Sequence, residues 1–207
     1  MTRLDTLRSE HGFTLAELLV ACAVIALVMP GLLIMLQSGQ QTYLVGSNQV
    51  EAQQSVRVAI ERMVQEIRNA GYCPTCAGAP PFTAITAQSA TGFTLQNDWN
   101  GSGDITTAAT VTDPSGNSRG EQVVYALVGN DLTRREVPLD AAALTLASGI
   151  SSLTLTYLDS AGAVTGTTAN IRTIVIAVTT RPEFQPAASQ QGKVLVTMTD
   201  SARLRNR

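Results

Sequence analysis

The chain has 207 residues, with 14 basic and 16 acidic side chains and a net charge of −2, so no basic excess argues for nucleic acid as a partner. Charged residues make up only 14% of the chain, while Thr, Ser, Ala, Gln and Gly are plentiful, a composition that favours an extracytoplasmic β-rich domain. The length suits one membrane helix followed by one modest globular domain.

The first 11 residues form a short polar segment that contains Arg3 and Arg8. The next basic residue is Arg57, so the positive-inside rule places the N-terminus in the cytoplasm and the rest of the chain outside it. An ordinary secretory signal has an apolar core of about 7–15 residues followed by a small-residue cleavage site. The apolar run of this chain is longer and contains an acid, which argues against a secretory signal.

That apolar run extends from Phe13 to Leu36, and a helix of this length can cross a bilayer core of about 30 Å. Glu17 interrupts it. A carboxylate inside a membrane costs about 2.5–3.5 kcal/mol on insertion scales, so its presence predicts a function and a partner for this side chain. If the chain were cut after Gly12, the new amino group of Phe13 would be the nearest partner, on the same chain or on a neighbour.

The segment Gly12 to Glu17, with the sequence GFTLAE, resembles together with the apolar run the type IV prepilin signature. The resemblance implies that a dedicated membrane peptidase cuts after Gly12 and methylates the amino group of Phe13. It also implies that Glu17 sets the register of the subunit in a helical filament. We therefore divide the chain into a leader peptide (1–12), a transmembrane and filament-core helix (13–36), an amphipathic helix half (37–70) and an extracytoplasmic β-rich domain (71–207).

Two further features lie inside the apolar run. Pro30 and Gly31 predict a bend or an unwound stretch, because proline removes a helical hydrogen bond; a similar region loosens in type IV filaments, and a plain membrane-helix kink is the alternative. The residues that end at Cys22 also resemble a lipoprotein cleavage box. Because the apolar run continues well past Cys22, we interpret this residue as a small buried apolar side chain.

The second half of the predicted helix has one apolar face. Its members recur at helical spacing and are Val56, Ile60, Met63, Val64 and Ile67. Gly71 is a natural C-terminal stop, so we expect one helix from about Phe13 to Ala70, its second half lying on a globular domain. The segment 67–72 also resembles the helix end of W/J-type minor pilins.

Cys73 and Cys76 follow the helix as a CxxC pair, which fits a redox motif, half of a zinc site or a disulfide. A redox motif needs a thioredoxin-like strand and helix context that is not predicted here. A zinc site needs two more ligands, and the only histidine is His11 in the leader. Outside the cytoplasm we therefore expect a disulfide that pins the corner between helix and domain.

Oxygen-bearing side chains alternate through the segment 98–104. They are Asp98, Asn100, Ser102 and Asp104. With Gly103 for a tight turn they match the first half of a calcium-binding loop. The bidentate acid of a full loop would fall at Ala109, so Asp113 or Glu121 would have to supply it. Because that acid is missing, a glycine-rich turn with Asx caps is the preferred interpretation, and calcium is the alternative.

The rest of the chain reads as strands. The predicted strands are 122–128, 132–135, 153–158, 171–179 and 193–198, with the turn 129–131 closing the first pair into a hairpin. This order resembles the W/J-type domain, and the absence of cysteine after Cys76 argues against a major pilin. The basic segment 203–207 is expected to be frayed. The predicted class is α+β with a pilin-like fold, in which the long N-terminal helix packs on an antiparallel β-sheet domain.

The sequence shows no catalytic constellation. Ser-His-Asp chemistry needs a histidine in the folded domain, and no phosphate or dinucleotide motif is present, so we predict no enzyme and no resident cofactor. The resemblance favours a minor pilin that leaves the inner membrane to start a type IV pilus. Its implied partners are other pilins, the prepilin peptidase and the inner-membrane assembly platform.

Three alternatives remain open from the sequence. The nearest is the J-type minor pseudopilin of a type II secretion system, which shares the leader, the helix and the β domain. The second is a membrane-anchored adhesin or binding module, whose functional part would be the β domain. The third is a thiol-exchange enzyme that acts through Cys73 and Cys76.

Overall fold

The computed structural model describes residues 12–180 and 195–206. Within these ranges the chain forms a helix, α1 (Leu15–Asn69), followed by strands only, apart from a 3₁₀ turn at Thr168–Asn170. The strands are β1 (Ile85–Thr86), β2 (Gly92–Gln96), β3 (Val111–Thr112), β4 (Ser118–Arg119), β5 (Gln122–Val128), β6 (Asp131–Val137), β7 (Leu144–Ala147), β8 (Ile150–Leu158), β9 (Thr173–Thr180) and β10 (Val196–Arg203). The predicted α+β class is confirmed.

The chain divides into two compact units, Met1–Leu44 and Val45–Arg207. The described part of the first unit is helical from Leu15 onward, and its large apolar side chains are exposed, with Leu27 at 81%. The helix is long and apolar enough to cross a membrane, and none of its most apolar window is buried. An exposed apolar surface of this kind is what a lipid bilayer or packed neighbouring helices would cover.

The second unit has a core formed by one face of α1 and by the strands. The buried helix residues are Val56, Ala59, Ile60, Met63, Val64 and Ile67, which confirms the predicted apolar face. They belong to one cluster with buried strand residues such as Phe93, Leu95, Ile174 and Ile176. Full burial of an aliphatic side chain of this size contributes about 1.5–3 kcal/mol, so this face holds the helix to the domain.

The strands form three antiparallel sheets. One has the order β1-β2-β5-β6-β7, another the order β10-β9-β8, and β3 pairs with β4. The predicted hairpin is present as β5 and β6, where Val128 pairs with Asp131 across Gly129 and Asn130. Asp131, predicted in the turn, therefore begins β6. Gly129 has φ of 63°, a backbone conformation that favours glycine at this tight reversal.

The C-terminal segment differs from the prediction. Strand β10 begins at Val196 and continues to Arg203; residues 193 and 194 of the predicted strand lie outside the described residues, as does Arg207. Leu204 is buried, and its N–H donates to Arg172 O at 2.9 Å. The Asn206 side-chain amide donates to Asn69 O at 2.9 Å. The expectation of a frayed tail is therefore wrong for residues 203–206, because an apolar side chain and backbone hydrogen bonds hold it.

Candidate functional site

The predicted cleavage site lies immediately before α1. Residues 12–14 are not helical, and both Gly12 and Phe13 are exposed, Phe13 to 88%. Among the described residues, apart from the neighbours of Gly12 in the chain, no atom lies within 4 Å of a Cβ built on Gly12. The Gly12–Phe13 peptide bond thus lies in non-helical chain, which a peptidase can bind without first unwinding a helix. The rest of the leader, residues 1–11, lies outside the described residues.

Thr14 and Glu17 cap the first turn of α1 reciprocally. The N–H and hydroxyl of Thr14 donate to Glu17 Oε2 at 3.2 and 3.3 Å, and the N–H of Glu17 donates to Thr14 Oγ1 at 3.3 Å. This is a capping box, and it also places the carboxylate at the positive end of the helix dipole. In the uncut chain the partner of Glu17 is therefore Thr14. The Thr-x-x-Glu spacing of Thr14 and Glu17 is the sequence signal for such a cap.

The structure assigns helix without interruption through Pro30 and Gly31. The expected unwound stretch is therefore absent from this structure, whereas a bend at Pro30 stays a prediction. Cys22 lies on the exposed surface of the same helix. The structure therefore does not show the burial that the sequence interpretation expected for this side chain.

Cys73 and Cys76 form a disulfide with Cα atoms 5.4 Å apart, as predicted. The four-residue loop that it closes lies against the segment 98–104. Thr75 Oγ1 donates to Gly101 O at 2.7 Å, and Cys73 Sγ lies 3.4 Å from Asp98 Oδ2. The disulfide-closed loop that follows α1 is therefore held by a hydrogen bond to a second loop that is distant in the sequence.

The segment 98–104 folds as a turn around Asp98, which is fully buried. Its Oδ1 accepts the N–H groups of Gly101 and Ser102 at 2.7 and 3.0 Å, and its Oδ2 accepts that of Gly103 at 2.7 Å. Asn100 Oδ1 accepts the Ser102 N–H at 2.9 Å, and the Ser102 hydroxyl donates to the Asp104 carbonyl at 3.1 Å. These contacts are those of a glycine-rich turn with Asx caps.

The two acids suggested as further calcium ligands are engaged elsewhere. Glu121 is buried and accepts the N–H groups of Trp99 and Thr106 at 3.1 and 2.6 Å. Asp113 caps its own turn. Hydrogen bonds, of which that from the Asn117 N–H has the largest effect, hold the pKa of its carboxyl below the usual range. All three carboxylates at 98, 113 and 121 thus satisfy backbone donors. Calcium binding, the alternative interpretation of this segment, is untested, and a titration can test it.

A buried polar network, which sequence reasoning missed, links α1 to β6. Arg134 is buried and contacts Glu66 Oε1 at 3.0 Å, Glu136 Oε2 at 2.8 Å and Asp140 Oδ2 at 3.6 Å. The Tyr125 hydroxyl donates to Glu66 Oε2 at 2.7 Å. Glu66 and Arg134 are 68 residues apart, so no local spacing could have indicated the pair.

This environment changes the pKa values of two groups in the network. Burial raises the pKa of Tyr125 well above its usual range, and the Glu66 carboxylate adds to the effect. Burial alone would lower the pKa of Arg134, but the hydrogen bonds that Arg134 donates to Glu136 and Glu66 outweigh this effect and raise the pKa. Tyr125 is therefore neutral and Arg134 charged throughout the physiological range. The network is therefore suited to holding the helix on the sheet.

The match to a known protein family lies at the N-terminus of the chain. Residues 7–29 match the family model described as the prokaryotic N-terminal methylation motif. No curated protein matches the chain. The motif implies cleavage by a prepilin peptidase and assembly with other pilins, and the apolar helix fits anchorage in a membrane. The prepilin-type motif lies on a long apolar helix that leads into a β-sheet domain, and together these features support a type IV pilin-like or pseudopilin-like protein.

Proposed function

We propose that the chain is a minor pilin, a non-enzymatic subunit that takes part in starting a type IV pilus. The observation that carries the proposal is the start of α1, where an exposed Gly12–Phe13 bond precedes a capped Glu17 on an exposed apolar helix. Cleavage after Gly12 creates an amino group on Phe13, which the same peptidase then methylates. The subunit waits in the inner membrane with its N-terminus in the cytoplasm and its sheet domain outside.

In this mechanism Glu17 exchanges partners during assembly. Its carboxylate first accepts hydrogen bonds from Thr14, at 3.2 and 3.3 Å. After cleavage the amino group of Phe13, on the same or a neighbouring subunit, offers a full positive charge in a low-dielectric environment. An ion pair there is much stronger than in water, so it can fix the axial position of the subunit as the assembly platform extracts it from the membrane.

Two sequence features support the minor subunit over the major one. The described domain has a disulfide at the helix end, and the sequence has no cysteine after Cys76 to close the C-terminal region. The order β5, β6, β8 and β9 follows the strand order of the W/J-type domain that the sequence resembles. The same features fit the J-type pseudopilin of a type II secretion system, which remains the alternative.

Intact mass spectrometry of the protein from membranes of cells that contain prepilin peptidase tests the class. The expected product lacks residues 1–12 and carries one additional methyl group. An uncut leader, or a lipid on Cys22, would refute the proposal. Deletion of the gene then separates the two filament systems, because loss of pili supports the pilus subunit and loss of secreted enzymes supports the pseudopilin.

Three variants separate the two roles of Glu17. Glu17→Ala removes both the cap and the charge, and it should block entry into filaments while leader cleavage continues. Glu17→Gln can still accept the Thr14 hydrogen bonds but cannot form the ion pair, so it should fail in the same way. Thr14→Val weakens the cap and keeps the charge, so it should retain most incorporation. Normal incorporation of Glu17→Gln would show that the ion pair with Phe13 is not required.

A further inference from the structure

Four arginines come together where the end of α1 meets β9 and β10. They are Arg68, Arg172, Arg203 and Arg205, and we call them the arginine corner. Backbone hydrogen bonds bring them together, since the Arg205 N–H donates to Arg68 O at 3.3 Å and the Leu204 N–H donates to Arg172 O at 2.9 Å. Arg203 pairs in register with Thr173, the residue after Arg172. The arrangement is therefore part of the folded domain, although its residues are widely separated in sequence.

Burial alternates along this part of the chain. Ala202 and Leu204 are buried, whereas Arg203 and Arg205 are exposed. Arg68 is exposed as well, and Arg172 is half-buried. Arg203 and Arg205 thus have exposed side chains on the C-terminal segment, and the backbone of Arg205 contacts that of Arg68 in the last turn of the helix. The buried residues Ala202 and Leu204 hold this part of the backbone against the core, so the charged side chains lie on an ordered surface.

The arginine corner forms no ion pair with the described carboxylates. Elsewhere in the described residues, Arg62, Arg119 and Arg134 each have a carboxylate within ion-pair distance. Across residues 12–180 and 195–206, none is found within 4.0 Å of the four arginines of the corner. Arg172 donates instead to the carbonyls of Ala169 and Ile171, at 3.1 and 3.0 Å, which orients its guanidinium without neutralising it.

We propose that the arginine corner is a docking surface for a carboxylate-rich surface of another protein. Guanidinium groups bind carboxylates through paired, planar hydrogen bonds, and arginine is favoured over lysine at protein interfaces for this reason. Clustered positive charge with no internal partner repels itself, so an acidic partner gains from both attraction and relief of that repulsion. The corner thereby supplies specificity and a faster encounter, with a strong dependence on salt.

A nucleic acid fits the corner less well than an acidic protein surface. Removing these four arginines from the 14 basic residues leaves 10 against 16 acidic residues, an excess of six negative charges on the rest of the chain. A phosphate backbone that extends past the corner would meet that negative charge. None of the four residues that define the corner is aromatic, so none of them offers a ring on which a base could stack. A compact acidic patch on a protein meets neither difficulty.

The helix dipole provides a purely structural explanation that a test must exclude. Cations near the C-terminus of a helix are stabilised by its partial negative charge, and Arg68 lies in the last turn of α1. If that were the whole role of the corner, removing the charges of Arg203 and Arg205 would lower thermal stability and leave binding of acidic partners unchanged. Docking predicts the opposite pattern.

The test uses the full chain in detergent, with fluorescence anisotropy of two labelled probes, an oligo-glutamate peptide and a DNA duplex. We expect the peptide to bind, with an affinity that falls as salt is raised. Arg203→Glu/Arg205→Glu should weaken peptide binding by about tenfold or more at low salt, since two of the four charges are reversed. Arg57→Glu/Arg135→Glu, which makes the same charge change at exposed positions elsewhere, should change the affinity less than about twofold.

Arg203→Gln/Arg205→Gln covers the case in which charge reversal prevents folding. It should keep the melting temperature of the parent and still lose most of the peptide affinity. Failure of the parent to bind the peptide, tighter binding of the DNA duplex, or equal losses in the corner and control variants would each overturn the proposal. The assay needs no filament, so its result is independent of whether the chain assembles as a pilin.

Discussion

Replacing Arg134 by leucine should cause the largest loss of stability among single changes in the polar network. The Arg134 and Glu136 side chains are each 7% exposed and lie 2.8 Å apart. Removing one member of a buried ion pair costs about 3–5 kcal/mol, because the other charge stays buried without its partner. The cost of losing Arg134 is smaller for the Glu66 carboxylate, because this side chain is 23% exposed and keeps its contacts with Tyr125 and Arg62.

The lower end of that range, about 3 kcal/mol, is the better expectation for Arg134→Leu. Glu136 retains one hydrogen bond after the change, because its Oε1 accepts the Gly120 N–H at 2.9 Å. The free energy of unfolding can be measured by denaturant titration of the full chain in detergent. The single tryptophan, Trp99, lies in the second unit and reports its unfolding by fluorescence.

Two further variants make the Arg134 experiment decisive. Arg135→Leu changes the next residue of β6, which is exposed, and should alter the free energy of unfolding by no more than about 0.5 kcal/mol. Arg134→Leu/Glu136→Leu removes both charges and should recover part of the loss, since an apolar replacement of a buried pair is often neutral. A loss below about 1 kcal/mol for Arg134→Leu, or a double variant less stable than the single, would refute the reasoning.

Three other predictions follow from the same structure. Burial raises the pKa of Tyr157 to about 12. The contribution of this residue to the free energy of unfolding is therefore complete below pH 10 and falls by about 1.4 kcal/mol per pH unit as the pH rises from 10 toward 12. Tyr157→Phe should flatten this part of the profile of stability against pH, and an unchanged profile would contradict the prediction. Cys76→Ser opens a four-residue loop and should lower the free energy of unfolding by about 2 kcal/mol, whereas alkylation of the unreduced parent should leave Cys73 and Cys76 unlabelled. Calcium should not change the melting temperature of the parent, because the Asp98 carboxylate already accepts three backbone N–H groups; a rise that Asp98→Asn abolishes would establish a calcium site.

The parts of the fold that sequence could predict are those set by short-range periodicity. The apolar face of α1 depends on residues three or four positions apart, and all five predicted members are buried. The β5–β6 hairpin depends on Gly129 and Asn130, which form a tight turn between two strand-forming segments. The disulfide was predictable because the cysteines are separated by only two residues and the chain was expected to face an oxidising compartment.

Features that join distant segments could not be predicted in this way. Glu66 and Arg134 looked like ordinary surface charges in sequence, and only the approach of α1 to β6 makes them partners. The C-terminal segment looked frayed because its charged residues outnumber its apolar ones. Leu204 and Asn206 hold it through contacts with Arg172 and Asn69, which lie far away in the chain. The arginine corner depends on the same tertiary contacts.

The start of α1 differs from both cases. Its cap is encoded by residues close together in the sequence, but the proposed role of Glu17 requires the cleaved form of the chain. The Thr14–Glu17 cap consists of contacts at 3.2–3.3 Å, at the long end for a hydrogen bond. Such bonds contribute about 0.5–1.5 kcal/mol each, enough to hold the carboxylate while the leader is attached. A charged amine offers this carboxylate a stronger partner in a low-dielectric environment. In the proposed mechanism, cleavage at Gly12 therefore allows Glu17 to exchange its internal cap for an ion pair with the Phe13 amine of the same or a neighbouring subunit, so that assembly depends on maturation.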